Sequence, residues 1–381
     1  MAQSDVEVYL DASSGEPLLP IARQAWLDAQ QAGWGDPARL HRPGRLAAQA
    51  LDQSREVVAA AVGARPDEVV FTSSAAHANY AAVAGLALGR RRVGSRIVTT
   101  AIDHSSVLAT AAMAGAHTSV EVDHEGRVDL HRWAAAVGSP GTAAACIQAA
   151  NHEVGTLQPY VEASQICQRA EVPLVLDATT ALGRIGLADD SGWSLLTGWA
   201  GAFGGPASVG ILVIKKGARW RAPYPTDDYQ NGRWPGVPDV PAIYAAAVAL
   251  DWWLQFGRGV SERQRNLIDW LRAGILQRIS DVDVAGDPIR RVPHLLTFSV
   301  LYVDGETLTL ELDKAGFAVA SGSACSASSE HPSHVLAAMG ALTHGNVRIG
   351  LTSTTTAAEI NRFLEMLPSM VAEIRATVGT S

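Results

Sequence analysis

Four residues of this chain have side chains that could carry out chemistry where they stand. Asp177 and His104 each follow a short apolar run, Arg348 lies inside one, and Cys325 stands among the small polar residues of 320–329. A carboxylate can hold a protonated nitrogen, an imidazole can move protons, a guanidinium can bind a carboxylate, and an exposed thiol can act as a nucleophile. Taken singly, each residue also has an ordinary structural explanation.

The three cysteines differ in their surroundings. Cys146 lies in an apolar strand pattern and Cys167 in a helical pattern, so we expect both to be unreactive core residues, whereas Cys325 is the candidate reactive thiol. An odd number of cysteines without a CxxC spacing favours a reducing, cytoplasmic location and no disulfide framework. The sequence shows no metal-ligating set.

The elements that position these residues follow an alternating pattern. From residue 69 to 214, short apolar runs alternate with helical patterns, which predicts an α/β domain with a mostly parallel sheet. Ligands bind at the carboxyl ends of such strands. We therefore expect Asp177 and His104 to meet at one edge of the sheet.

The C-terminal third has a different pattern. After a loop rich in proline and glycine, two helices are predicted at 242–256 and 262–279, followed by an α+β pattern. We predict a large α/β domain over 13–257 and a small α+β domain, which carries the Cys325 loop, over 1–12 and 258–381.

Together these segments resemble the cysteine desulfurases of the class V aminotransferase group over nearly the whole chain. The matching segments are Tyr9-Leu10-Asp11-Ala12, His104, Asn151-x-Glu153-x-Gly155, Asp177-Ala178, Ser321-Gly322-Ser323-Ala324-Cys325, Pro332-Ser333-His334-Val335-Leu336 and Asn346-Val347-Arg348. The resemblance implies fold type I of the pyridoxal phosphate (PLP) dependent transferases, with a mostly parallel sheet of the seven-stranded type, and a homodimer.

The resemblance also implies a role for each matching residue. Asp177 would contact the ring nitrogen of PLP, His104 would stack on the ring and move protons, Asn151 and Arg348 would bind substrate, and Cys325 would carry a persulfide. PLP is thus the cofactor that the family implies.

The chain departs from this family at the cofactor pocket. The departures are Ala202 for the lysine that forms the Schiff base, Trp199 for a phosphate-binding serine, Gly201 for a histidine, Thr180 for a glutamine, and Ala75-Ala76 for a Gly-Thr phosphate turn. Without the lysine no Schiff base forms at position 202, and without the phosphate donors we expect weak cofactor binding. Several departures in three segments indicate natural divergence rather than a single engineered change.

Several functions remain open at this point. We favour a desulfurase-like protein without PLP turnover, which acts as a partner subunit or as a persulfide acceptor through Cys325. The alternatives are an enzyme whose chemistry needs no PLP or uses PLP bound noncovalently, a working cysteine desulfurase that makes alanine and a persulfide, and a structural or regulatory binding protein.

The net charge and the distribution of apolar residues exclude two classes of binding partner, nucleic acids and membranes. The chain has 30 basic and 38 acidic residues, a net charge of −8, and 48% hydrophobic residues. This balance argues against nucleic-acid binding, and the apolar runs are too short and broken to cross a membrane. We expect a homodimer or a heterodimer with an intact paralogue, with a sulfur-acceptor protein as a further partner.

Overall fold

The structure, a computed structural model, describes residues 8–32, 35–187, 192–321 and 332–378. Within these ranges seven strands form one large sheet, the C-terminal part forms a sheet of three strands, and one N-terminal and one C-terminal strand form a sheet of two. The α/β fold class predicted from the sequence is confirmed.

Strands and helices alternate along most of the described chain. The strands are β1 (Val8–Tyr9), β2 (Val69–Thr72), β3 (Arg96–Thr100), β4 (His117–Val120), β5 (Thr142–Gln148), β6 (Leu174–Asp177), β7 (Leu195–Trp199), β8 (Gly210–Ile214), β9 (Val282–Ala285), β10 (Leu295–Val300), β11 (Phe317–Ala318) and β12 (Asn346–Gly350). The helices are α1 (Pro20–Gln31), α2 (Arg42–Val62), α3 (Ala75–Gly89), α4 (Ser105–Ala114), α5 (Leu130–Val137), α6 (Tyr160–Arg169), α7 (Val240–Arg278), α8 (Gly305–Lys314), α9 (His334–Met339) and α10 (Ala357–Val378).

The large sheet has the strand order β2-β8-β7-β6-β5-β3-β4. β8 runs antiparallel to β2 and β7, and the other neighbouring pairs are parallel. Every residue of β5 is buried, as expected for a strand that is covered by helices on both faces. Since β3, β5, β6 and β7 are parallel, their carboxyl ends lie at one edge of the sheet, where the loops after them meet.

The N-terminal segment joins the C-terminal part of the chain. β1 pairs in parallel with β11, and Val8 and Leu10 share a buried cluster with Phe317 and Phe363. This placement agrees with the expectation that the first residues pack with the small domain. The division into domains at residue 257 itself stays a prediction.

The prediction of two helices after the proline-rich loop is wrong in one respect, because α7 runs without a break through 257–261. The glycines there do not end the helix, since a glycine inside a helix costs only about 1 kcal/mol relative to alanine. Gly257 is also packed, as a Cβ at that position would lie 2.8 Å from Cε3 of Trp253. In the described ranges no helix, α7 included, is both long and apolar enough to cross a bilayer.

Candidate active site

A cavity of about 430 Å³ lies at the carboxyl edge of the large sheet. Its walls come from the end of β6, the starts of α3 and α4, the loops after β5 and β7, and β12 of the small sheet. The lining includes the predicted site residues Ala75, Ala76, His104, Asp177, Thr180, Ala202 and Arg348. The structure therefore brings these seven residues to one cavity, and their roles as site residues stay predictions.

Asp177 is held in a fixed orientation at the end of β6. Its Oδ1 accepts a hydrogen bond from the Thr179 backbone N–H at 2.9 Å, and its Oδ2 accepts one from Nδ2 of Asn79 at 3.1 Å. Asn79 is itself fixed, because its Oδ1 accepts from Oγ1 of Thr197 at 2.6 Å. In the described part of the chain no basic side chain pairs with Asp177, so this 8% exposed carboxylate faces the cavity without a cation.

His104 caps the start of α4 with its ring. Its Nδ1 accepts from the Ser106 backbone N–H at 3.1 Å, which leaves the proton of the neutral ring on Nε2. Burial lowers the pKa of His104, in spite of the nearby Asp177. The imidazole is therefore uncharged at neutral pH, and it can offer either a ring face or an N–H to a ligand.

His152 is a second imidazole in the cavity wall, and we did not predict it from the sequence. Its ring lies 5.0 Å from that of His104 in an edge-on arrangement, and burial lowers its pKa well below the usual range. Its Nδ1 is buried without a hydrogen-bond partner among the described residues. The only sequence signal was its position beside Asn151, directly after β5.

Arg348 supplies positive charge to the cavity from β12. It is 2% exposed, and its Nε donates to Oγ of Ser13 at 2.9 Å. Ser13 in turn donates to Oδ1 of Asp11 at 2.8 Å. The guanidinium thus reaches the cavity from the small sheet, where it can bind an anionic group such as a carboxylate.

Ala202 stands on the cavity wall in a short helical turn, Ala200–Phe203, that follows β7. Its carbonyl oxygen accepts from Nε and Nη2 of Arg184 at 3.0 and 2.7 Å. Arg184 is fully buried, forms an ion pair with Glu16, and lies 4.3 Å from the Trp253 ring centre. The backbone at position 202 is therefore rigidly held, although its side chain is only a methyl group.

Trp199 and Gly201 form a packed pair. A Cβ at Gly201 would lie 2.3 Å from Cζ2 of Trp199, and one at Gly15 would lie 3.2 Å from Cη2 of the same ring. The indole N–H points away from the pair and donates to the Ala207 carbonyl at 2.8 Å. Trp199 therefore requires a residue without a side chain at position 201, so the residues at these two positions are coupled.

We expect Gly201→Ala to destabilise the protein by about 1–3 kcal/mol, because overpacking a rigid contact costs that much. Thermal unfolding followed by circular dichroism measures the effect. Trp199→Ser should restore most of the lost stability in the double variant. The control is Gly259→Ala, since a Cβ there meets nothing within 4 Å; equal losses in both single variants would contradict the coupling.

The residues at the cavity do not fit lysine-anchored PLP. Among the described residues no lysine lines this cavity: Lys215 and Lys216 line a separate cleft, and Lys314 pairs with Glu311 on α8. Ser74 caps the start of α3, because its Oγ accepts a hydrogen bond from the backbone N–H of His77.

One predicted residue that the structure describes, Asn151, does not line the cavity. Asn151 is fully buried, and its amide is engaged with backbone: Oδ1 accepts from the N–H groups of Glu153 and Val154, and Nδ2 donates to the Ile102 carbonyl. Its substrate-binding role stays a prediction. Cys325 lies outside the described residues. Among those that are described, no group of three or more His, Cys, Asp or Glu residues could hold a metal ion.

Comparison with known proteins gives consistent matches over almost the whole length. The model of the family described as aminotransferase class-V matches residues 8–363. A cysteine desulfurase of Cereibacter sphaeroides is 34% identical over 379 residues, which cover 97% of each chain. The cysteine desulfurase IscS of Dictyoglomus turgidum is 33% identical over 97% of this chain and 95% of its own. A solved structure of a NifS-like protein has a TM-score of 0.89 at 26% identity, covering 96% of this chain and 99% of the other.

Proposed function

Since this chain belongs to the cysteine desulfurase family within the class-V aminotransferases, we propose that it serves sulfur transfer without carrying out lysine-dependent PLP turnover itself. In this role it accepts sulfur on Cys325 from a persulfide donor and passes it on. The family is PLP-dependent, whereas this role of the chain needs no PLP.

The observation that carries this proposal is the composition of the cavity wall. Asp177, His104 and Arg348 stand there with Ala202, and no lysine is among the described residues of the lining. An imine with PLP needs a primary amine. Trp199 and Gly201 are packed against each other. This packing favours a cavity wall that has diverged at several positions over one that has only lost a lysine side chain.

Sulfur transfer to Cys325 needs no cofactor. The thiolate of Cys325 attacks the outer sulfur of the donor persulfide and forms a new S–S bond, while the S–S bond of the donor breaks and the donor leaves as a thiolate. One thiolate is consumed and one is released, so no oxidant or reductant is required.

Incubation with an active cysteine desulfurase and cysteine tests this role. We expect mass spectrometry of the alkylated protein to find one added sulfur on the peptide that contains Cys325, and none in the Cys325→Ser variant. The chain alone should release no alanine from cysteine. Alanine release by the chain alone, or sulfur transfer that does not need Cys325, would count against the proposal.

A second candidate is chemistry on a carboxylate substrate within the same cavity. The observation in its favour is the pair of uncharged imidazoles, His104 and His152, near the Arg348 guanidinium. Such a site can bind a carboxylate and move a proton. Conversion of a small carboxylic acid that is lost in His104→Gln, with Cys325→Ser unaffected, would favour this candidate over sulfur transfer.

The partner of this chain is proposed from the family alone. We propose a homodimer, or a heterodimer with an intact paralogue, as the form that receives sulfur. Light scattering on the purified chain distinguishes these forms: a stable dimer favours the first, and a monomer that pairs with an active desulfurase favours the second. A monomer that pairs with neither would contradict both.

A further inference from the structure

A second cleft, of about 930 Å³, lies at the edge of the large sheet opposite the candidate active site. Among the described residues, none lines both this cleft and the candidate active site. We infer that the cleft binds a small polyanion in which two or more phosphate groups are linked, such as an inorganic triphosphate or a nucleoside triphosphate. The inference goes beyond sulfur transfer and does not depend on it.

The strand directions bring basic residues to this edge. β5, β6 and β7 begin here, whereas β8 runs antiparallel to β7 and ends here, so that Lys215 and Lys216 follow directly. Arg219 lies in the segment after them, and α3 runs back from β2 to end beside it, with Arg90 as its C-cap. We call the cleft that these four residues line the basic cleft.

The backbone that carries two of these cations is rigid. The Trp220 indole N–H donates to the Ala81 carbonyl at 2.7 Å, which ties the segment after β8 to α3. A Cβ at Gly89 would overlap the carbonyl oxygen of Arg219, so the end of α3 packs directly on this segment. Arg90 and Arg219 are therefore held near each other by backbone packing.

No described carboxylate forms an ion pair with any of the four cations of the basic cleft. Arg90 donates instead to the Glu171 backbone carbonyl at 3.0 Å, and Lys215 lies 4.1 Å from the Trp193 ring centre. Nε of Arg90 is buried and meets no hydrogen-bond partner among the described residues. Burial, together with the neighbouring Arg219, lowers the pKa of Arg90. Cations that are partly buried and unpaired favour an anionic ligand.

The charges in and around the basic cleft leave a positive excess. Glu171 is the one carboxylate among the described lining residues, and Glu68 lies close by, since its Oε1 accepts from the Lys216 backbone N–H. Two of the four positive charges therefore remain unbalanced, although the whole chain has a net charge of −8. The C-terminal end of α3 offsets only about half a charge more.

Linked phosphates match this cluster better than other anions do. Several phosphate groups accept charge-assisted hydrogen bonds from several cations at once, whereas a single phosphate reaches fewer of them. The cleft also has the volume of a typical small-molecule site. A long nucleic acid would instead be repelled by the negative charge of the rest of the chain.

The first test is isothermal titration calorimetry of the full chain with inorganic triphosphate, at physiological ionic strength and without divalent metal. We expect one triphosphate per chain, and we expect inorganic phosphate to bind at least about tenfold more weakly. Lys216→Gln with Arg219→Gln, both at exposed positions, should weaken triphosphate binding by about tenfold or more. Arg23→Gln with Arg42→Gln, exposed on α1 and α2, changes the net charge equally and should leave the binding unchanged.

ATP and a change at the candidate active site complete the test. An affinity for ATP no higher than that for triphosphate would assign the phosphate chain alone as the ligand, and tighter binding of ATP would assign a nucleotide. Arg348→Gln should leave triphosphate binding unchanged, because Arg348 lines the other cavity. The inference is overturned if the wild-type protein does not bind triphosphate, if inorganic phosphate binds as tightly, if Arg348→Gln abolishes the binding, or if the two double variants bind equally tightly.

Discussion

Ala202→Lys alone leaves the protein without cysteine desulfurase activity. The substitution restores an amine on a rigidly held segment, because Arg184 fixes the carbonyl of residue 202. It does not restore the phosphate donors that the resemblance to the family implies at the positions of Ala76, Trp199 and Gly201. Charge-assisted hydrogen bonds contribute about 1.5–3 kcal/mol each, so three missing donors weaken PLP binding by about three to six orders of magnitude.

Alanine release from cysteine in the presence of added PLP measures this outcome. The informative control is a combined variant with Ala202→Lys, Trp199→Ser, Gly201→His, Ala76→Thr and Thr180→Gln, which should recover part of the activity. Trp199→Ser and Gly201→His must be made together, since the Trp199 ring occupies the space beside residue 201. Turnover by the single variant would show that the remaining pocket binds PLP well, contrary to our account.

Cys325 reacts with iodoacetamide far faster than the other two thiols. Burial raises the pKa of Cys146 well above its usual range and that of Cys167 to about 12. At pH 8 a thiol with that pKa is about one part in ten thousand thiolate, compared with about a quarter for an ordinary cysteine, which is a difference of about a thousandfold. Cys146 and Cys167 are also 2% and 1% exposed, which excludes the reagent.

Peptide mapping of the native protein after a short labelling pulse tests this expectation. Label should appear almost entirely on the peptide with Cys325, and Cys325→Ser should abolish the fast phase. Denatured protein, in which all three thiols are accessible, provides the reference for full labelling. Native labelling of Cys146 or Cys167 at a rate comparable with that of Cys325 would contradict the assignment of Cys325 as the sulfur acceptor.

Local sequence patterns predict only part of the cavity wall. Asp177 and His104 follow apolar runs, and parallel strands bring the carboxyl ends of such runs to one edge, so their meeting follows from the fold class. Arg348 could be assigned to the cavity only through the family resemblance, because it arrives from a different sheet. Short-range patterns carry no information about such a contact.

Other features depend on tertiary packing that a pattern does not encode. The coupling of Trp199 to Gly201 is a contact between an indole and a backbone, and the hold of Arg184 on Ala202 spans eighteen residues. The continuity of α7 through its glycines was missed for the same reason, since packing against Trp253 outweighs a modest loss of helix propensity.

Whether any lysine of this chain forms an imine with PLP can be measured directly. The purified protein is mixed with PLP, its near-ultraviolet and visible absorbance is recorded, and the mixture is then reduced with borohydride and digested for peptide mapping. We predict the spectrum of the free aldehyde and no site-specific pyridoxyl group on Lys215, Lys216 or Lys314. An imine band together with a stoichiometric pyridoxyl group on one lysine would contradict it and would favour a working PLP enzyme.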